Sequence, residues 1–431
     1  MARIGIRHED KSRWESRAPL TPAAVQRLIR EEGVEFTVQS SPTRAFTDGQ
    51  YEQAGATVAG DLADCPIIMG VKKIPPDKFE EGKAYVFFSH TIKGQPENMP
   101  MLRRLMDLRC HLIDYERIAD AEGQRLVFFG RFAGLAGMID TLWAFGRRLE
   151  NEGIDSPFAA IRPAHEYKNL DDARREIRAV GKVIGDDGLP PELRPFICGF
   201  AGYGQVSQGA QEIFDLLPFE EIAPADLEDA GPASDVCYKV VFREEHMVQR
   251  VDGSAPFALQ EYYDHPDRYR AGFFPHAAHL SILVNCIYWE PRYPRMITGE
   301  QFGELYAGGQ PRLRVIGDIT CDIDGSLACT TRATEPSSPV YVYEPATGVT
   351  RDGFAGRGPV VLAVDFLPCE LPVDASEAFS EALLPFIGAL ARADCSGPLA
   401  DSGLPEELVR ATIVYQGALT EPYQYLGEYV S

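Results

Sequence analysis

The chain has 431 residues, 45% of them hydrophobic and 25% charged, with a formal net charge of -22. This length exceeds one ordinary hydrophobic core, so we expect two domains, and the composition is that of a globular protein. The acidity excludes a general nucleic-acid binder and a protein that docks on anionic membranes, because both need a basic face.

The chain shows no sign of a membrane or export segment. No stretch approaches the ~18 uncharged apolar residues that a spanning helix needs, and strand-like alternation begins at Arg3 without an apolar leader. The nine cysteines are scattered without a CxxC pair, and two lie in apolar strand-like runs (Cys198, Cys286). This pattern favours free thiols in a reducing cytoplasm and gives no metal site.

Strand-like and helical runs alternate through roughly the first 140 residues. "RIGIR" precedes a helix that begins at Thr21–Pro22 and ends at Gly33. Two further apolar runs, "PIIMGV" and "AYVFFS", lead to Lys72–Lys73 and to His90. The alternation predicts an α/β layer with a mainly parallel sheet. A long helix rich in small residues follows, "GRFAGLAGMIDTLWAFGRRL", which is suited to close packing and to bridging two domains.

A second α/β unit is centred on residues 195–218. An apolar strand there runs into a glycine-rich turn and a helix, and "KVVFRE", "LSILVNCIYW", "LRVIGDIT" and "PVVLAVDF" predict further strands of one sheet. Connectors near 185–195 and 345–360 are rich in proline and glycine and predict loops. We expect roughly the last 60 residues to be helical.

The glycine-rich turn is a candidate dinucleotide site. Gly202 and Gly204 give the G-x-G of the fingerprint, while Ser207 stands where a third glycine is usual and Gly209 follows. Such a turn lets the backbone approach a pyrophosphate at a helix N-terminus. A tight turn without a ligand is the alternative. The ribose acid expected ~20 residues further on has three candidates: Glu220, Glu221 and Asp226.

A cationic cluster marks the other end of the chain. The first thirty residues carry seven Arg or Lys against three acids, and Lys72, His90 and Lys93 follow. In an acidic protein such cations at strand ends indicate a pocket for a small polyanion, since arginine clamps carboxylates and lysine supplies a point charge. Solvated surface charge is the competing interpretation, and it is the better one for three residues: Lys11, Arg27 and Arg30.

Eight motifs together resemble a known family. They are "RAPLTP", "MGVKKIPPDKF", "FFSHTIKGQ", "LIDYERI", "FGRFAGLAGMID", "GFAGYGQVSQGAQEIFDLLP", "NCIYWE" and "GDITCDIDGSLACTTRATEPSSPVYVYEP". In this order they are similar to the lysine-ketoglutarate reductase half of the bifunctional lysine-degrading enzymes of plants and animals. More loosely, they resemble fungal lysine-forming saccharopine dehydrogenase and alanine dehydrogenase.

The resemblance implies an α/β fold of two Rossmann-like domains with parallel sheets and the active site in the cleft between them. The substrate domain would comprise residues 1–139 and 368–431, and the dinucleotide-binding domain residues 140–367. The family reaction joins the ε-amine of lysine to 2-oxoglutarate as an imine, which a hydride from NADPH reduces to saccharopine.

The resemblance also implies roles for individual residues. By their positions in the motifs, Lys72 and His90 match the acid–base pair of the family. Such a pair is useful because carbinolamine dehydration needs a proton donor and amine attack needs an acceptor. The substrate-binding positions are Arg17, Lys93, Glu116 and Arg125. The cofactor-binding positions are Gly202, Tyr203, Gly204, Gln205, Val206 and Ser207, with Asp318 and Asp365 at the ends of predicted strands.

Three functions remain open at this point. The first is an NADPH-dependent lysine 2-oxoglutarate reductase of lysine degradation, with NADH as the alternative reductant and a separate saccharopine dehydrogenase as a possible partner. The second is an NAD-dependent saccharopine dehydrogenase that releases lysine. The third is a non-catalytic protein that binds dinucleotide or lysine and regulates a separate dehydrogenase; Lys72 and His90, both present, count against it.

Overall fold

The computed structural model describes residues 1–253 and 255–430. The chain divides into two compact units. The first unit joins Met1–Phe129 to the described residues from Pro372 onward, and the second unit is Gly130–Leu371. The resemblance implies a first division after residue 139, whereas in the structure the division falls before Gly130. The whole of the long small-residue helix, Gly130–Asn151, therefore lies in the second unit.

The elements are numbered in chain order. The strands are β1 (Ile4–Ile6), β2 (Phe36–Gln39), β3 (Thr57–Ala59), β4 (Ile67–Met69), β5 (Ala84–Phe87), β6 (His111–Asp114), β7 (Phe196–Ala201), β8 (Phe219–Glu221), β9 (Cys237–Phe242), β10 (Val248–Arg250), β11 (Tyr269–Ala271), β12 (Ile282–Asn285), β13 (Val315–Asp318), β14 (Val340–Glu344), β15 (Val349–Asp352), β16 (Val360–Leu362), β17 (Thr412–Tyr415) and β18 (Ala418–Leu419). The α-helices are α1 (Pro22–Glu32), α2 (Asp48–Gln53), α3 (Met99–Asp107), α4 (Gly130–Asn151), α5 (Leu170–Asp187), α6 (Gln205–Phe214), α7 (Glu244–Met247), α8 (Leu259–Asp264), α9 (Phe274–Ala277), α10 (Gly299–Ala307), α11 (Pro372–Arg392), α12 (Glu406–Ala411) and α13 (Gly427–Val430).

The sheet of the first unit has the order β18-β17-β6-β5-β4-β1-β2-β3. Strands β1 to β6 run parallel, as the alternating pattern predicts. The predicted first helix is confirmed: Thr21 accepts a hydrogen bond from the Ala24 amide, and Gly33 ends the helix at φ +67°.

The expectation of an all-helical final segment is wrong in part. After α11, strand β17 pairs antiparallel with β6 and turns back into β18. The run "TIVY" in β17 is β-branched and apolar, and its central residues Ile413 and Val414 are fully buried. These side chains fit a sheet better than a helix, and the pairing closes an edge of the first sheet.

The sheet of the second unit has the order β15-β14-β16-β13-β12-β7-β9-β8. The six strands from β16 to β8 are parallel, and β14 and β15 form an antiparallel hairpin at one edge. β15 (Val349–Asp352) lies inside the stretch 345–360 that was predicted to be a loop. Two largely parallel α/β sheets confirm the predicted fold class.

Helices α4 and α6 cross with almost no space between their backbones. A Cβ atom added to Gly134 would lie 1.9 Å from the Val206 carbonyl oxygen, and one on Gly209 would lie 2.1 Å from the Arg131 carbonyl oxygen. The close packing that a dinucleotide fold asks of its third glycine is therefore met here by Gly209 and by Gly134 on the partner helix.

Along residues 1–253 and 255–430, no helix combines the length and the apolar character needed to cross a membrane. In that same part of the chain, no cluster of three His, Cys, Asp or Glu side chains has the arrangement of a metal site.

Candidate active site and dinucleotide site

Four neighbouring strands of the first sheet deliver the ionisable side chains to one edge. The strands β1, β4, β5 and β6 are parallel neighbours, so their carboxyl ends meet there. The chains stay paired just past the strands, since the Phe88 amide donates to the Val71 carbonyl at 3.1 Å. Lys72 and His90 therefore emerge from adjacent strands, as the sequence predicted.

Glu9 anchors the backbone that carries Lys72. Its two carboxylate oxygens accept hydrogen bonds from the Val71 amide at 2.7 Å and from the Lys72 amide at 3.0 Å. Glu9 is 7% exposed, and burial raises the pKa of its carboxyl to about 7. Sequence reasoning missed this residue, which counted only as one of three acids near the N-terminus.

Arg17 is buried in an ion pair. Its Nε and Nη2 donate to the two carboxylate oxygens of Glu15 at 2.7 and 2.5 Å, and both side chains are about 3% exposed or less. The guanidinium also lies 4.2 Å from the centre of the Phe129 ring. Burial opposes ionisation of Glu15, but Arg17 outweighs it and holds the pKa of Glu15 below its ordinary value.

The Arg17–Glu15 pair changes what Arg17 offers a ligand. A carboxylate would meet a guanidinium of which two nitrogen atoms already bind Glu15. The spacing "E-S-R" in the sequence is consistent with this pair, because a single residue, Ser16, separates the acid from the base. Lys72 also contributes to the low pKa of Glu15, which places its charge near the pair.

His90 is held in an unusual backbone conformation. Its φ is +53°, in the left-handed region that few residues other than glycine adopt. Its ring stacks on Phe88 with 6.2 Å between centroids. Its Nδ1 lies 3.9 Å from a carboxylate oxygen of Glu116, whose other oxygen is 3.8 Å from Arg125. The predicted residues His90, Glu116 and Arg125 thus form one row of ionisable side chains.

Lys73 supports the His90 loop. Its ammonium donates to the side-chain oxygen of Asn98 at 2.6 Å, and the Asn98 amide donates to the His90 carbonyl at 2.6 Å. Lys72, by contrast, acts on Glu15, whose pKa its charge helps to lower. Lys93 lies three residues beyond His90 in the same loop and is exposed.

The buried carboxyl group of Asp114 connects two loops at this edge of the sheet. Asp114 is fully buried at the end of β6, where it accepts hydrogen bonds from the Ser89 amide at 3.1 Å and the Glu116 amide at 2.8 Å. Burial raises the pKa of Asp114 to about 6. It therefore ties the loop before His90 to the turn that carries Glu116, a role that the sequence did not reveal.

This edge offers the parts of an acid–base site for a carboxylated substrate. A lysine and a histidine stand at adjacent strand ends, a carboxylate faces the histidine, and cationic side chains lie around them. Such groups can exchange protons with an amine or a hydroxyl and can hold carboxylates by charge.

The second unit carries the glycine-rich turn where it was predicted, between β7 and α6. Gly202 has φ +96°, and a Cβ added there would press within 3.3 Å of the Cys286 carbonyl oxygen. Among the described residues, no atom lies within 4 Å of a Cβ added to Gly204, and no side chain caps the N-terminus of α6. Open amides at a helix N-terminus over a glycine cradle fit a pyrophosphate.

A cavity of about 420 Å³ adjoins this turn. It is lined by the turn itself, by residues that follow β9 and β12, and by a wall of aromatic rings. These rings belong to Tyr203, Tyr262, Tyr263, Tyr288, Trp289 and Tyr293. Aromatic walls of this kind suit a flat heterocycle such as adenine.

The predicted cofactor residues do not all face outward. Tyr203 and Gln205 are exposed and Val206 is half-buried, while Ser207 is fully buried with its hydroxyl accepting from Gln211 at 3.0 Å. Ser207 therefore serves the packing of α6, and it reaches a ligand only through its backbone.

Two candidates for the ribose acid, Glu220 and Glu221, lie away from the strand that leads into the glycine-rich turn. Glu220 and Glu221 sit on β8, the outermost strand, and β9 separates it from β7. The residues that follow β9 are Arg243 and Glu244, and Glu244 lines the cavity. The sequence order β7, β8, β9 gave no sign that β9 would occupy the inner position.

Asp318 and Asp365 lie at strand ends as predicted, with different surroundings. Asp318 is 1% exposed and accepts hydrogen bonds from the Asn285 side chain at 2.8 Å and the Cys321 amide at 3.2 Å, as well as from the Thr330 hydroxyl. Burial raises its pKa to about 6. Asp318 fixes a loop from inside, whereas Asp365 is exposed.

Comparison with known proteins supports the fold described above. Residues 5–136 match the family described as alanine dehydrogenase/PNT, N-terminal domain. A solved L-alanine dehydrogenase shares the fold with a TM-score of 0.63, at 16% identity over 100% of both chains.

Two curated relatives extend the comparison. The α-aminoadipic semialdehyde synthase of Arabidopsis thaliana is 37% identical over 98% of this chain, which spans 41% of that relative's length. A saccharopine dehydrogenase of Yarrowia lipolytica, described as NAD⁺-dependent and L-lysine-forming, is 28% identical over 91% of this chain and 93% of its own. The resemblance seen in the motifs is confirmed: nearly the whole chain is similar to part of an α-aminoadipic semialdehyde synthase and to most of a saccharopine dehydrogenase.

Proposed function

We propose that this chain joins the ε-amine of L-lysine to 2-oxoglutarate and reduces the resulting imine to saccharopine, with NADPH as the reductant. The observation that carries the proposal is the edge of the first sheet, where Lys72 and His90 end adjacent strands and Glu116 faces His90. The relatives named for aminoadipic semialdehyde and for saccharopine support the substrate class.

The reaction needs protons moved at two atoms. The amine attacks the keto carbon, and the carbinolamine then loses its hydroxyl group as water, which requires a proton donor at that oxygen. Lys72 and His90 are the residues to which we assign the donor and acceptor roles. The Glu116 carboxylate faces His90 Nδ1 at 3.9 Å, and Arg125 lies 3.8 Å from its other oxygen.

The carboxylates of the substrates need cations. Saccharopine carries three carboxylates, and we assign their binding to Lys93 and Arg125, with Arg17 in a further position. Because Arg17 is paired with Glu15, it supplies a fixed and partly neutralised guanidinium rather than a full charge. Lys93 and Arg125 are both exposed, whereas Arg17 is buried.

A bound nicotinamide dinucleotide would supply the hydride that reduces the imine. The residues suited to hold its pyrophosphate are Gly202 and Gly204 with the first amides of α6, and the aromatic wall suits its adenine. Arg243, which packs 4.6 Å from the centre of the Tyr203 ring, favours the 2′-phosphate of NADPH.

A specific observation keeps NADH, and with it the lysine-forming saccharopine dehydrogenase, as the second candidate. Glu244 follows the strand beside β7, which is where an acid binds the ribose hydroxyl of NAD. Its Oε1 accepts hydrogen bonds from the Tyr263 hydroxyl at 2.7 Å and the Tyr203 hydroxyl at 3.4 Å. A carboxylate held in this way repels a phosphate at the same position.

The test is a purified-protein assay that follows nicotinamide absorbance. Lysine plus 2-oxoglutarate is offered with NADPH and with NADH, and saccharopine is offered with NADP⁺ and with NAD⁺. We expect the largest kcat/KM with lysine, 2-oxoglutarate and NADPH. Turnover confined to saccharopine and NAD⁺ supports the second candidate, and no turnover in any combination removes both and leaves a non-catalytic binding protein.

Two variants test the cofactor assignment without turnover. Arg243→Ala removes the charge that we assign to the 2′-phosphate, so it is expected to weaken NADPH binding about tenfold, or about 1.4 kcal/mol. NADH lacks this phosphate, and its binding is expected to stay unchanged. Glu244→Gln is expected to strengthen NADPH binding relative to NADH. Titration of nicotinamide fluorescence reads both ratios. Equal effects on the two nucleotides would place Arg243 and Glu244 away from the ribose. Location in the cytoplasm and a separate saccharopine dehydrogenase partner stay predictions.

A further inference from the structure

Residues 421–430, called here the tyrosine segment, contain three tyrosines close together: Tyr423, Tyr425 and Tyr429. The segment consists of a 3₁₀ turn (Glu421–Leu426) and α13 (Gly427–Val430) and belongs to the first unit. None of its residues resembles a catalytic group. Its side chains nevertheless reach both loops that carry the His90–Glu116 pair.

Two of the tyrosines hold the loop that follows His90. The Tyr425 hydroxyl donates to the Ile92 carbonyl at 2.6 Å, one residue before Lys93. The Tyr429 ring covers Gly94, where an added Cβ would lie 2.7 Å from the ring and where φ is +64°. Gly94 thus combines a left-handed backbone with a ring against its α-carbon, and glycine alone satisfies both.

The third tyrosine holds the turn that carries Glu116. The Tyr423 hydroxyl accepts a hydrogen bond from Arg117 Nε at 3.0 Å and donates one to the Arg410 carbonyl at 2.8 Å. The Arg117 guanidinium lies 5.7 Å from the centre of the same ring. Arg117 directly follows Glu116, so this contact fixes the backbone on the other side of the His90–Glu116 pair.

The exposure of these rings argues against a role in core packing alone. Tyr425 is 47% exposed and Tyr429 is 52% exposed, whereas Tyr423 is 3% exposed. A half-exposed ring gains little from apolar burial, and the Tyr425 hydroxyl forms its hydrogen bond where water competes. The conformation that it holds is the strained one, because the loop begins at His90 with φ +53°.

We propose that the tyrosine segment is a positioning element that sets the geometry of His90 and Glu116 from both sides. It rests on the proposed function in that His90 and Glu116 are taken as part of the reaction site. The hydroxyls of Tyr423 and Tyr425 act through the backbone, and they need not touch the substrate. A segment more than 300 residues away in sequence thereby tunes the proton exchange of the histidine.

The test removes single hydroxyl groups. Tyr425→Phe is expected to lower kcat about three- to tenfold, to leave nicotinamide dinucleotide affinity unchanged, and to shift the limb of the pH–rate profile that reports His90. Tyr423→Phe is expected to act in the same direction. Tyr415→Phe is the matched control, because its hydroxyl also donates to a backbone carbonyl in the first unit, that of Gly397 at 2.9 Å, away from this edge.

A second readout works without turnover. The titration of the His90 ring is followed by NMR in the free protein, and its midpoint is expected to move in Tyr425→Phe and to stay in Tyr415→Phe. Thermal unfolding of each variant separates a positioning effect from loss of fold. If the wild-type protein has no saccharopine activity but the His90 midpoint still moves, the function fails and the positioning stands. If Tyr423→Phe and Tyr425→Phe both keep the wild-type midpoint and profile, the positioning is overturned.

Discussion

The candidate site of the second unit is built mainly from backbone groups, whereas that of the first unit is built from side chains. In the second unit the glycine-rich turn, which we propose as the dinucleotide site, is made of backbone: two glycines, open amides and the N-terminus of α6. In the first unit the edge is made of side chains, and each side chain is held by a neighbour, as Glu15 holds Arg17 and Asp114 holds the Glu116 turn. A backbone site is specified by a short motif, whereas a side-chain site depends on partners spread along the chain.

The largest expected effect comes from removing the two side chains of the first unit to which we assign the proton transfers. Lys72→Met and His90→Gln are expected to lower kcat by about 10²- to 10⁴-fold, with little change in dinucleotide affinity. Steady-state kinetics and a separate nucleotide titration measure the two quantities. A variant with wild-type kcat would lose its assigned role, and a large drop in nucleotide affinity would blur the division between the units.

The next largest effect is expected at the Arg17–Glu15 pair. We expect its loss to change both the free energy of unfolding and substrate binding. Arg17→Ala leaves a buried carboxylate unpaired, so the free energy of unfolding should fall by about 3–5 kcal/mol. The KM for a carboxylate substrate should also rise. The double variant Glu15→Ala/Arg17→Ala should be more stable than Arg17→Ala, because it leaves no unpaired carboxylate. Its KM for the carboxylate substrate should stay as high as in Arg17→Ala. An unchanged KM in Arg17→Ala would remove this residue from the site while leaving its structural role.

The glycine turn of the second unit gives a matched pair of smaller effects. Gly202→Ala must hold φ near +96° against the Cys286 carbonyl, and it should cost about 1–2 kcal/mol of stability and weaken nucleotide binding about tenfold. Gly204→Ala meets no atom within 4 Å, so it should fold nearly as well and still bind nucleotide weakly. Normal nucleotide binding by Gly204→Ala would show that the pyrophosphate does not lie there.

The smallest effect is a pH dependence that both units share. In the second unit Asp140 and Glu370 form a buried carboxyl pair beside His165, and burial raises the pKa of Glu370 to about 7. The folded state then binds more protons than the unfolded state between about pH 4.5 and 7, so stability should fall as pH rises through that range. Glu9 in the first unit acts in the same direction.

Urea unfolding at pH 5 and at pH 8 measures this effect. Glu370→Gln should reduce the loss of stability between the two values, since the amide does not titrate. Glu9→Gln should do the same for the first unit. A wild-type protein that is more stable at pH 8 than at pH 5, with both variants unchanged in slope, would contradict the raised pKa values.

Local signals in the sequence predicted the elements that local chemistry controls. Thr21 and Gly33 bound α1, and Gly202 and Gly204 mark the turn before α6. The same reasoning placed Lys72 and His90 at strand ends, because apolar runs stop there.

Long-range pairing explains what the sequence did not reveal. Strand β17 exists because it pairs with β6, roughly 300 residues earlier, and Glu244 follows the neighbour of β7 because β9 inserts between β7 and β8. Glu9 and Glu15 became partners of the site only when the fold brought them to Lys72 and Arg17. A carboxylate in a loop carries no mark of the cation that it will meet.

The first unit is also completed late in biosynthesis. Strand β6 receives its second neighbour only when β17 has been made, after all of the second unit, and at about 5–20 residues per second that delay is on the order of 15–60 s. Throughout this interval the ribosome carries a chain with an open strand edge at His111–Asp114, which invites pairing with other chains. A chaperone that covers β6 during synthesis would therefore protect the chain over this interval.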